Sequence, residues 1–382
     1  MKQCPTGRAS IIFKKMKKSQ VEVQFNWIFV LIVGAILLAF FVTLAVRQKG
    51  VAETTTSVDF LVNFEKALSG AAETKGTYQL FQIPKIGLNY ECSQTCNCEI
   101  FTGESRAQAV AFTLKNIIIF SPDKFRGTNI LVWTKDWAFP FRTTNFIYMT
   151  SPEVKYLVQN TSFGESIYNR LPAKTLQFKQ QQQRAIDKEV FTNILPEVTG
   201  SYKVRIIFTE GDPSSFSLIR IKDTNAITAI KIIPASDEPE KVEFYAKSGT
   251  SLVKTGESYV FGEEALTAAI FAEDINTYQC QMQRAFRTLS FVAESYSSKQ
   301  NEIISFIEDQ EKLTAPGTNI VNPVSYCKVH YSNSNSNLLS NTAERFDFTQ
   351  QSKDTANSLF SIRTNIENQN SDIIKDGCPQ IY

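Results

Sequence analysis

The sequence predicts an α/β or α+β ectodomain, with a mixed β-sheet and a C-terminal helical region, behind one N-terminal transmembrane helix. Three observations predict it. An uncharged apolar run of twenty residues extends from Trp27 to Val46. Short β-branched and aromatic stretches, separated by turn residues, fill the chain from Tyr78 to Tyr245. From Leu266 onward, apolar residues recur at three- and four-residue steps.

The apolar run sets the organisation. A helix rises about 1.5 Å per residue, so the run covers roughly 30 Å, the thickness of a bilayer's hydrocarbon core. Phe25 and Trp27 suit the membrane–water boundary at one end, and Arg47 and Lys49 close the other. Lys2, Arg8, Lys14, Lys15, Lys17 and Lys18 precede it against the single acid Glu22, which places the N-terminus in the cytoplasm. A cleaved secretory signal would have an apolar region of only about 7–15 residues and a small-residue cleavage site. The expected order is a cytoplasmic tail (1–26), a transmembrane helix (27–46), a stalk (47–75), a mixed α/β ectodomain (76–260) and a disulfide-stapled helical region (261–382). The chain is then a single-pass protein of the cell membrane with its C-terminal domain extracellular.

The cysteines agree with that orientation. Cys4 lies on the cytoplasmic side, and Cys92, Cys96, Cys98, Cys280, Cys327 and Cys378 lie beyond the anchor, an even six that an oxidising compartment would pair. Cys96 and Cys98 stand too close to bridge each other, and the sequence leaves the pairing otherwise open.

Element by element, Phe60, Leu61, Phe64 and Leu68 mark a short amphipathic helix in the stalk, ending at Gly70. Tyr78–Ile83 and Ile86–Tyr90 read as strands around a turn at Pro84. Ala109–Leu114, Asn116–Phe120, Asn129–Thr134 and Asn145–Thr150 follow as buried strands. Ser162–Leu171 reads as a helix stopped before Pro172, and the glutamine-rich Lys179–Arg184 as a polar exposed segment. Tyr202–Thr209, Ala226–Ile233 and Lys241–Tyr245 are strands again. One long amphipathic helix carries Leu266, Ile270, Tyr278, Met282, Phe286, Leu289, Val292 and Tyr296. A second carries Ala356, Leu359, Phe360, Ile362 and Ile366, and the Ser332–Asn337 alternation between them reads as a flexible loop. Cys280, Cys327 and Cys378 are placed to staple these helices together or onto the sheet.

Charge is balanced at +2, which argues against a nucleic-acid or polyanion binder, and the 29 Phe and 13 Tyr point to a packed core. No cofactor or metal is implied. The one histidine, His330, has no cluster around it, and zinc at Cys92/Cys96/Cys98 is disfavoured outside the membrane. Ser251-Leu-Val-Lys254-Thr-Gly256 and Ser121-Pro-Asp-Lys124 have Ser-x-x-Lys spacing, but the first overlaps two motifs on one lysine and the second is a turn. Glu210/Asp212 and Glu273/Asp274 are carboxylate pairs of the kind solvated loops and helix faces carry. The aromatics of Asp136–Phe141 read as a strand end packed into the core. Asn160-Thr-Ser162 is a glycosylation sequon.

The segment Lys17-Lys-Ser-Gln20-Val-Glu-Val-Gln24-Phe resembles the class III signals of archaeal type IV pilins. Those place basic residues and a small residue before a glutamine, then a glutamate at the edge of an assembly helix; here the glutamate is Glu22. That resemblance implies cleavage between Ser19 and Gln20. More broadly, Val21–Phe29, Trp133–Phe141 and Ala269–Asp274 look like segments of single-pass envelope proteins of small-genome archaea, a grouping that implies a location and no activity. Three functional readings follow. The first is a tethered, non-catalytic envelope component facing a protein partner, the second a pilin-like assembly subunit, and the third an anchored envelope hydrolase.

Overall fold

The computed structural model describes residues 16–382 apart from 75, 84–86, 104–110, 116, 179–180, 225, 236–238, 314–326, 333–334 and 381–382, with side chains from Val30 to Thr43 and, Leu313 excepted, from Ser57 onward. The chain divides into two units, Met1–Asp59 and Phe60–Tyr382. In the first, the described backbone belongs to α1 (Met16–Glu73). Its side chains from Val30 to Thr43 are all exposed, and Thr43 returns its hydroxyl to the Ala39 carbonyl. Among the described residues, no helix is long and apolar enough to cross a membrane. The side chains at both ends of the Trp27–Val46 run lie outside the described residues, as do Cys4 and the side chains of the lysine cluster, Ser19 and Gln20.

The second unit is mixed α/β, with several sheets and C-terminal helices. Alternating side chains explain its layering. In β7 (Asn129–Ala138) and β8 (Arg142–Thr150), Ile130, Val132, Ile147 and Met149 face one core, while Trp133, Trp137, Phe146 and Tyr148 face another. These strands are flanked by β1 (Tyr78–Gln82) and β5 (Ile118–Phe120) in the order β1-β7-β8-β5, with only the β5/β8 pair parallel. Against the first core packs the end of α1, whose Leu61, Phe64, Leu68 and Ala71 are buried. The helix expected in a stalk is thus part of the compact unit and runs on to Glu73. The same core takes an antiparallel sheet of β4 (Ala111–Thr113), β3 (Cys98–Thr102), β2 (Leu88–Cys92) and β6 (Lys124–Phe125).

The third sheet has six strands in the order β12 (Asp187–Phe191), β9 (Val154–Gln159), β13 (Lys203–Phe208), β14 (Ala226–Ile233), β15 (Glu240–Ser248) and β16 (Ser251–Val260). The first four are parallel and the last three antiparallel. Helix α2 (Ser162–Arg170) connects β9 to β12, and a hairpin of β10 (Thr175–Phe178) and β11 (Gln181–Arg184) lies between them in sequence. The glutamine-rich segment is therefore half of a hairpin, an exposed one, which needs no apolar alternation.

The helix expected from Leu266 onward is two. α3 (Glu263–Phe271) ends, and Asp274 caps α4 (Ile275–Leu313) by accepting from Thr277 N at 2.7 Å. Beyond it come α5 (Lys328–Tyr331), α6 (Asn335–Arg345) and α7 (Lys353–Lys375). The loop expected over Ser332–Asn337 is corrected from Asn335 onward. There α6 begins, because Ser336 is small enough to be buried and Asn335 Nδ2 bonds Gln369 Oε1 at 3.1 Å.

The main core joins strand and helix regions. Trp137 stacks on Phe146 and Phe286 with centroids 5.2 and 5.8 Å apart, and donates its indole N–H to Phe261 O. Phe286 also meets Phe261 and Phe348, both at 4.9 Å. Phe139 and Phe141 are buried in the same cluster, as the sequence predicts for Asp136–Phe141. Replacing Phe286 by alanine should cost about 3–5 kcal/mol. The denaturant midpoint at unchanged slope measures it, and an unmoved midpoint would mean that this cluster does not hold the two regions together.

Candidate functional site

In open α/β sheets, ligands bind beyond the carboxyl ends of parallel strands, where the strand order reverses. Here the chain leaves β9 for β12 on one side and later places β13 on the other, so the reversal lies between β9 and β13. The sequence fills that crevice from within. Gln159, the last residue of β9, accepts through Oε1 from Thr209 N and Glu210 N, both at 2.9 Å. Thr161 caps α2 through Gly164 N at 3.0 Å and meets the Thr209 hydroxyl at 2.7 Å. Gly164 brings the helix start so close that a Cβ there would stand 1.9 Å from the Gln159 carbonyl oxygen. The backbone donors that would otherwise face an anion are taken by the Gln159 amide.

The motif residues fare similarly. Lys254 is held by Glu243 at 2.6 Å and Glu257 at 2.7 Å, and hydrogen bonds to these two carboxylates raise its pKa, the opposite of what a general base needs. Ser251 Oγ donates to Ser248 O instead, and buried Ser121 donates to Pro122 O. His330 Nε2 pairs with Asp376 at 2.7 Å, tying α5 to the end of α7. Asp212 caps a helical turn at Pro213–Ser215 through Ser214 N. Glu273 faces Lys203, and Asp274 is the α4 cap. Asn160 is exposed at the end of β9. Among the described residues, no group of three or more His, Cys, Asp or Glu is placed to hold a metal ion.

Among the described residues, six cysteines form three disulfides. Cys92–Cys98 closes the β2/β3 hairpin, Cys96–Cys280 fastens that hairpin to α4, and Cys327–Cys378 ties the start of α5 to the end of the chain. Both stapling modes open to the sequence occur, helix to sheet and helix to helix.

Among the described residues, a large open groove of about 1020 Å³ lies between the 94–97 loop, the outer face of α4 and the Glu344–Thr349 turn. Lys115, Arg284, Arg287 and Arg345 line it against Glu344 and Asp347. Arg284 donates to Leu114 O at 2.6 Å and Cys96 O at 2.9 Å, and burial holds its guanidinium below the usual range. Asp347 accepts from Thr349 N at 2.8 Å and Thr349 Oγ1 at 2.7 Å, bonds that depress its pKa and keep it an anion. Phe291 stands 69% exposed at the edge. This surface can bind an anionic or aromatic group. The only sequence signal for it is Arg284 and Arg287, three residues apart on the polar face of the long helix; the rest of the lining comes from segments remote in the chain.

No family model matches the chain, and neither a curated protein nor a solved structure matches it.

Replacing Gln159 by leucine keeps its bulk and removes the acceptor for Thr209 N and Glu210 N. A loss of about 1–3 kcal/mol in unfolding free energy is expected. A variant as stable as the parent would mean that water or another group serves those donors and the crevice is open.

Proposed function

We propose that this chain is a single-pass, membrane-anchored extracytoplasmic protein, a structural or interaction component of a cell envelope. The observation that carries this reading is the stretch Val30–Thr43 of α1. It is uncharged and exposed around the whole circumference of the helix. An amphipathic surface helix has an apolar stripe, whereas a helix apolar on every side belongs in a core or in lipid. The inward-bonded Thr43 hydroxyl fits a lipid setting, where no water serves it. The three disulfides fit an oxidising compartment. The cationic groove on α4 is the surface we assign to a protein partner bearing an acidic segment.

The pilin-like reading has one observation in its favour. α1 is a single helix in which an exposed apolar segment is followed by one buried against a sheet. The N-terminal residue of the mature protein separates the two readings. Gln20 would make the chain an assembly subunit, and an intact N-terminus keeps it a tether.

Full-length protein should remain in the membrane fraction through high-salt and alkaline washing, and deletion of residues 1–46 should release it. Soluble, monodisperse full-length protein without detergent would overturn the anchor. On intact cells, Cys92, Cys96, Cys98, Cys280, Cys327 and Cys378 should resist an impermeant thiol reagent until reduced. Labelling of any of them without reductant would overturn the oxidised, outward-facing domain.

A further inference from the structure

Three side chains from distant parts of the chain meet where the six-stranded sheet approaches β6. Lys203 opens β13, is 5% exposed and touches the Asp123 carboxylate through Nζ. Glu273, 14% exposed, places Oε2 3.0 Å from the same nitrogen. Backbone bonds hold all three in place. Tyr90 N donates to Asp123 O at 2.7 Å, Glu273 N to Ser121 O at 3.2 Å, and Lys203 N to Glu153 O at 3.3 Å. Two residues along the same face of β13, Arg205 is buried with its guanidinium spent on the carbonyls of Ala269, Ile270 and Glu273.

We propose that Lys203 and Asp123 join through an intramolecular isopeptide bond, with Glu273 as the proton-transfer group. Nothing in this rests on the membrane reading. The amine is a nucleophile only when neutral. Burial, helped by the Arg205 charge, draws Lys203 below its usual pKa, although Glu273 opposes this. Neutral Nζ attacks Cγ of the protonated Asp123 carboxyl. Glu273 takes a proton from the amine and delivers one to the departing hydroxyl. The C–N bond forms, the C–O bond breaks and one water leaves, so a carboxylic acid and an amine become an amide and water with no oxidant or co-reactant. The product amide carries no charge, so the buried Lys203 end no longer holds a cation in a site that disfavours one. Asp123, 48% exposed, gives the water a way out.

The alternative is an ordinary ion pair, and mass separates the two. Full-length protein, reduced and weighed against termini confirmed by peptide mapping, should be lighter than its sequence by one water. Tryptic digestion should yield a branched peptide joining Lys203 to Asp123. Lys203→Arg should restore the full mass, and Glu273→Gln should give full-mass chains that retain native circular dichroism. Folded wild-type protein at full mass, cleaved by trypsin after Lys203, overturns the bond. A bond that forms undiminished in Glu273→Gln overturns the role given to Glu273. Misfolding of either variant leaves the wild-type mass to decide.

Discussion

The first half of helix α4, from Ile275 to Ala293, can be buried on most of its circumference only because its polar side chains find partners there. Gln281, fully buried, accepts from Ile119 N at 3.3 Å and donates to Tyr90 OH at 2.7 Å, while Tyr90 OH donates to Ile119 O at 2.8 Å, closing a ring of three bonds. Gln283 spans the backbone of the Glu344–Thr349 turn, bonding Phe346 O and Phe348 N. Asn276 reaches Cys92 O, and Ser290 meets Ser340. Turning the helix by one residue would break these bonds together and leave buried amides unpaired at about 1–3 kcal/mol each. Apolar packing alone tolerates such slippage; matched polar groups do not. β2, β5 and α6 are all positioned against this one fixed helix.

That constraint decides where a ligand can and cannot go. The parallel part of the six-stranded sheet has the topology of a binding sheet, yet its strand ends are sealed by Gln159, Thr161 and Thr209. The open surface lies instead on the outer side of α4, where Arg284 is fixed by two backbone carbonyls while Phe291 is left exposed. Because Arg284 is already held in place, a ligand meeting it there has one side chain fewer to order.

Much of the fold was legible in the sequence because its signals are local. Alternation and β-branching located β7, β8, β13, β14 and β15, and the three- and four-residue spacing located α4 and α7. What was illegible depended on tertiary context. β9 and β12 pair with strands remote in sequence, and β3, although the second arm of a hairpin with β2, is a short segment that no local pattern marked. The end of α1 looked like a stalk helix because nothing near Leu61 and Phe64 in sequence supplies the sheet that buries them. The Ser-Asn alternation looked disordered because a small serine side chain carries no apolar signal, although Ser336 is buried. Cys280 and Cys96, 184 residues apart, could be pairing candidates but not a pair until α4 was laid across the hairpin. Lys203, Asp123 and Glu273 were three unrelated charges for the same reason.

Covalent reinforcement is unevenly distributed, and the unevenness has a physical reading. A cross-link gains most when it closes a long loop in the unfolded chain, on the order of 5 kcal/mol for spans of a hundred residues in the chain-entropy account. Cys96–Cys280 is such a link, and Cys327–Cys378 closes a shorter span of 51. Between Cys98 and Cys280 the chain has no cysteine, so the six-stranded sheet lies inside the loop that Cys96–Cys280 closes without itself being stapled to anything. Its charged contact with the β6 side runs through Lys203, which pairs with both Asp123 and Glu273. As an ion pair that contact trades Coulomb attraction against desolvation and gains little. As an amide it would fasten β13 directly to the residue preceding β6, where no disulfide reaches. A chain that invests in three disulfides elsewhere has its largest unsecured element at this one place.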